Sequence, residues 1–218
     1  MGVIKKIKKF RFYKCILITF LIFFSLTSGT YAYLSYSNGV NNSITGDMGQ
    51  VNLELNVTRV LPVNQNVNSI LLFRFDELAG NLNKGCIDQD GEFSLCQLYK
   101  INLKNKSGAV NTRIKGSLSF DSFTLPNLSW ILLGNTYSSS TNYTTSMLDS
   151  DFNTASSTYT NFVDNYLLYN GNEINYYILI WVNETDEIQY DNGSYTGIVR
   201  FEDHNGNGVT AEFGDMSD

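Results

Sequence analysis

Histidine and cysteine content bound the chemistry first. One histidine, His204, and three cysteines, Cys15, Cys86 and Cys96, occur in 218 residues. A zincin holds its metal with two histidines on one helix face and a glutamate between them, and a single histidine cannot supply that. Serine–histidine catalysis on a nucleophile elbow needs a Gly-x-Ser-x-Gly turn, and none occurs. His204 therefore reads as an exposed turn residue. Carboxylates do cluster, at Asp149/Asp151 and at Glu184/Asp186/Glu187. A glycosidase works with such a pair, but in an acidic chain these clusters are ordinarily solvated. The expectation is a protein that is not an enzyme and holds no cofactor.

Two runs look like cation loops. Asp203-His204-Asn205-Gly206-Asn207-Gly208 fits the first half of a calcium loop, with Asp203, Asn205 and Asn207 as candidate ligands. The bidentate acid of that pattern belongs at residue 214, which is Gly214. Asp88-x-Asp90-Gly91 is a second short acidic turn. Hairpin turns collect the same residue types because they tolerate positive φ, and that is the preferred reading.

Cys86 and Cys96 bracket GCIDQDGEFSLC, with Asp90-Gly91 near its centre. Asp-Gly is a strong hairpin-turn signal. A disulfide clamping the two strands of that hairpin is expected in an oxidising compartment, with free thiols as the alternative.

The compartment is read from the first 32 residues. Lys5, Lys6, Lys8, Lys9, Arg11 and Lys14 form a basic start without a single acid. The apolar run Cys15 to Leu26 follows, and Thr30 and Ala32 occupy the small-residue positions of a signal-peptidase site. The run is shorter than the ~20 residues of a comfortable membrane span, so cleavage between Ala32 and Tyr33 is expected. The alternative is an uncleaved anchor, which would be the protein's sole membrane contact. Without this segment nine basic residues face 21 acidic ones. Such a body repels phosphate backbones, so nucleic acid is not an expected partner.

From residue 49 the apolar pattern has period two. Val51, Leu53, Leu55 and Val57 alternate with polar residues, and Leu98 to Leu103 does the same. Another strand begins near Val110 and runs to Phe120. Ile174 to Val182 is a continuous β-branched and aromatic run, as in a strand buried on both faces. Tyr195 to Phe201 and Val209 to Phe213 complete the set. Ser69 to Leu78 is ambiguous, and no other part of the body carries a helical period. The expected fold is all-β, an antiparallel β-sandwich spanning 49–218 after the signal segment 1–32 and an extended stretch 33–48. Residues 134–165, dense in Ser, Thr and Asn, form an insertion. It reads as a polar connection, or as a binding loop presenting Tyr137, Tyr143, Phe152 and Tyr159.

Residues 29–57, GTYAYLSYSNGVNNSITGDMGQVNLELNV, resemble the start of the TasA/camelysin family of exported matrix proteins of Gram-positive bacteria. Ala32 stands at that family's cleavage position, and Thr45-Gly46-Asp47-Met48-Gly49 where its small-residue turn lies. Tyr99 to Gly108 resembles a strand-turn of the same proteins. The cysteine pair and the Ser/Thr/Asn insertion depart from the pattern. The resemblance implies a jelly-roll-like sandwich, assembly into extracellular fibres and processing by a dedicated signal peptidase.

The expected function is thus a secreted structural protein of the cell surface or biofilm matrix, whose partners are its own copies or other matrix proteins. A route follows if residues released by cleavage complete a neighbour's open sheet. Tyr33, Leu34, Tyr36, Val40 and Ile44 would be the apolar anchors of that donor segment. An extracellular binding or adhesion module for carbohydrate or a surface partner is the alternative, and a camelysin-like peptidase ranks third.

Overall fold

The computed structural model describes residues 41–48, 51–64, 70, 72–107, 110–125, 127–148, 151–184, 193–204 and 206–215. The chain divides into two units, Met1–Gly39 and Val40–Asp218. Every described residue belongs to the second.

That unit is an antiparallel β-sandwich, as the alternating pattern requires. Its strands are β1 (Asn41–Met48), β2 (Val51–Leu61), β3 (Leu72–Phe73), β4 (Gln97–Asn105), β5 (Thr112–Phe123) and β6 (Leu128–Gly134). They continue with β7 (Asn153–Thr154), β8 (Thr160–Leu168), β9 (Glu173–Asn183), β10 (Tyr195–Asp203) and β11 (Gly208–Asp215). The larger sheet runs β1-β2-β4-β9-β6-β7, with β3 parallel to β9. The smaller runs β11-β10-β5-β8.

Alternation decides what lies between the sheets. Leu53, Leu55 and Val57 of β2 and Tyr99, Ile101 and Leu103 of β4 point inward, against Leu118, Phe120, Val199 and Phe201 of the smaller sheet. Each such side chain contributes roughly 1.5–3 kcal/mol when fully buried. Gly197 faces Phe213 across the β10–β11 ladder. A Cβ there would lie 2.3 Å from the ring, so the glycine makes the space that the aromatic fills.

β9 is buried on both faces. Ile174, Tyr176, Ile178, Ile180 and Val182 enter the inner core, while Leu179 and Trp181 join a second cluster on the outer face. That cluster is closed by a 3-10 turn (Phe75–Glu77), the helix α1 (Leu78–Asn83), the cysteine loop and part of the insertion. The ambiguous stretch Ser69 to Leu78 holds the short strand β3 and then the 3-10 turn, and α1 begins at its last residue. Leu78, Ala79, Asn81 and Leu82 are the buried residues of α1.

The domain boundary also differs from expectation. Asn41–Met48 is not part of a free extended leader. It pairs residue for residue with β2, Asn41 opposite Thr58 through Met48 opposite Val51, so the described sandwich already includes residues 41–48, ahead of residue 49. Ile44 lies within this strand, opposite Leu55. Tyr33, Leu34, Tyr36 and Val40, and the cleavage position Ala32, lie outside the described residues.

Candidate functional site

His204 stands exposed in the β10–β11 turn. The turn explains its neighbours. The Asp203 carboxylate accepts from the Asn207 backbone N–H at 3.1 Å and from Asn207 Nδ2 at 3.3 Å. The Gly206 N–H donates to the Asp203 carbonyl at 3.1 Å. Asp203 and Asn207 are therefore brought together by bonding each other, while Asn205 lies outside the described residues. Asp88 does the same work in the cysteine loop, accepting from the N–H groups of Glu92 (2.9 Å) and Phe93 (3.1 Å). Both acidic runs are side-chain-capped turns. Among the described residues no three His, Cys, Asp or Glu side chains cluster as a metal site would need.

Cys86 and Cys96 form a disulfide, and both are fully buried. The hairpin around them has no strands. An antiparallel bridge, Ile87 with Ser94, and the N–H bonds of Asp88 to the Phe93 carbonyl at 3.1 Å and of Leu95 to the Cys86 carbonyl at 2.9 Å hold its arms. Gly91 turns it with φ +74°, the left-handed region that glycine adopts without a Cβ penalty.

The insertion aromatics divide. Tyr137 stacks on Tyr143 with centroids 5.8 Å apart and tilts against Tyr177. Phe152 meets Trp181 edge-on at 5.2 Å and stacks on Phe75 at 5.3 Å. Burial, then the neighbouring Tyr143, pushes the Tyr137 phenol upward. Asn83 of α1 ties the loop down, donating to Asn142 Oδ1 at 2.9 Å and accepting from the Tyr143 N–H at 2.8 Å. Three of the four aromatics thus cover the outer face of the larger sheet. Tyr159 alone stays largely exposed, with the Arg200 guanidinium 5.9 Å from its ring centre.

Sequence reading missed a buried polar cluster inside the core. Gln97 Oε1 accepts from the hydroxyls of Tyr195 at 2.5 Å and Tyr99 at 2.7 Å. It joins β4 of one sheet to β10 of the other. Glutamine buried among apolar residues is held by satisfied hydrogen bonds. Phenols alternating with aliphatics gave no sign of it.

The remaining reactive feature is backbone. Open sheets end in unpaired N–H and C=O groups, which natural proteins blunt with short strands, bulges, lysine or proline. One flank here is blunted. β7 has two residues, and β8 breaks register with β5 twice and carries Asn165 at φ +52°. At the other flank, β1 and β11 are each eight residues long with unbroken pairing.

The outward groups of β1 can be assigned. The Asn52 N–H donates to Ser107 Oγ at 2.8 Å, and the Lys106 N–H to the Asn52 carbonyl at 2.7 Å. Even-numbered β2 residues near this end therefore bond toward β4, and odd ones toward β1. Met48 opposite Val51 is then a hydrogen-bonded pair, as expected where two residues, Gly49 and Gln50, connect the strands. It follows by alternation that Asn41, Ser43, Thr45 and Asp47 direct their backbone groups away from β2. The strand contains no lysine, proline or break in pairing.

No family model, no curated protein and no solved structure matches this chain.

Proposed function

We propose that this chain is an exported structural protein of the cell surface or matrix that associates with copies of itself. The observation that carries the reading is β1, a regular eight-residue edge strand at the end of the larger sheet. Edge strands of that kind template pairing with another chain. The leader-like first 32 residues, the disulfide and the resemblance to TasA and camelysin support export and a surface role. Signal peptidase is the partner during export. No nucleic acid, metal or cofactor enters the account, and no catalytic step is assigned. Recognition of a ligand through the insertion has little support, because Tyr137, Tyr143 and Phe152 are spent on covering the sheet.

Light scattering on the secreted chain across a concentration series tests the proposal. A molar mass that rises with concentration to at least twice that of the single secreted chain supports it. A single-chain mass at every concentration, with specific retention of one glycan, replaces it with the binding-module reading.

A further inference from the structure

Deepening the self-association reading, on which it rests, we infer that the first contact is a two-fold pairing of β1 with β1 of a second copy. An antiparallel strand placed beside β1 meets the N–H and C=O groups of Asn41, Ser43, Thr45 and Asp47. Both copies present the same set, so an isologous contact satisfies both strands at once. The register that uses all four puts Asn41 opposite Asp47 of the second copy and Ser43 opposite Thr45. Ile44 then meets its own equivalent on the axis.

Charge and geometry favour this register. Asp47 is the strand's one charged residue, and it faces an asparagine rather than a second carboxylate. Like charges directly opposite each other destabilise a ladder. The neighbouring edge β11 carries Glu212 and Asp215, so self-pairing there adds acid to an already acidic body. Ile44 on the axis is a non-hydrogen-bonded pair, the type in which the two Cα atoms come to about 4.5 Å. The contact joins two larger sheets into one continuous sheet and closes, so its product is a dimer.

Two substitutions in the full chain test the pairing. Thr45→Pro removes an N–H that points away from β2, so the hairpin ladder survives while the free edge loses a donor and gains a ring. The expected result is a protein with wild-type near-ultraviolet circular dichroism and complete loss of the dimer in light scattering. Ile44→Cys, made with Cys15→Ser so that one thiol is added, brings two sulfurs within disulfide range across the axis. Mild oxidation should convert most of the protein to a covalent dimer on a non-reducing gel, and Thr210→Cys on the smaller sheet should give none. If wild type associates but Thr45→Pro associates equally and Ile44→Cys does not cross-link, the edge is wrong and self-association stands. If wild type is monomeric throughout and Ile44→Cys stays uncrosslinked, both ideas fall.

Discussion

The two faces of the larger sheet are buried by different means. The inner face meets the smaller sheet, and regular alternation on both sides fills the space with Leu, Ile, Val and Phe. Among the described residues the outer face is covered at one end, by a short helix, a disulfide loop and a Ser/Thr/Asn-rich stretch. At its other end Lys100, Asn102 and Lys104 of β4 are half-buried, and Asn102 donates to Asn175 at 2.7 Å. Irregular chain buries few side chains per residue, so it needs a covalent link and capped turns to stay in place. What looks like a display loop is therefore a structural cover of the outer face.

The sharpest contrast comes from truncating each layer. Phe201→Ala, in the inner core between Phe162 and Tyr176, should cost about 3–5 kcal/mol in denaturant unfolding. The whole domain should lose its cooperative transition at lower denaturant. Breaking the outer staple with Cys86→Ser and Cys96→Ser together should cost about 2–3 kcal/mol by loop entropy. Hydrogen exchange should then rise over 75–96 while β9 amides stay protected. Equal loss of protection in both layers would abolish the distinction between them.

Much of the inner layer is legible in the sequence. β2, β4, β5, β9, β10 and β11 all lie where period-two or continuous apolar runs stand. β8 is hidden because its two register shifts interrupt the alternation. β6, LSWILLG, is a short run buried on both faces, and periodicity cannot mark such a run. The outer cover is the least legible part. Tyr137 and Phe152 have no period, and their partners Tyr177, Phe75 and Trp181 are distant in sequence. The disulfide is readable from spacing and export context, whereas the strands expected around it are absent.

Smaller effects refine the comparison. Phe152→Ala removes a half-buried ring and should cost about 1–2 kcal/mol, roughly half of full burial. A glycan contact through the insertion would instead show as lost binding at unchanged stability. Alkaline titration probes the inner layer. Burial, with the nearby Tyr166 adding to it, pushes the Tyr176 phenol up to about 12. The unfolded phenol ionises near 10, so over the interval from there to about 12 the unfolded state holds fewer protons than the folded one. Stability should be intact below pH 10 and fall as pH rises through that interval. Tyr176→Phe should flatten the fall.

The central claim, that copies join through the outward edge of β1, which no described strand pairs, is tested most directly by residue-resolved amide exchange on dilute and concentrated protein. In the monomer Asn42, Ile44, Gly46 and Met48 bond to β2 and should exchange slowly, while Ser43, Thr45 and Asp47 exchange fast. On association the fast set should become protected, with little change in β7 and β8. Association that leaves Ser43, Thr45 and Asp47 in fast exchange would contradict the account.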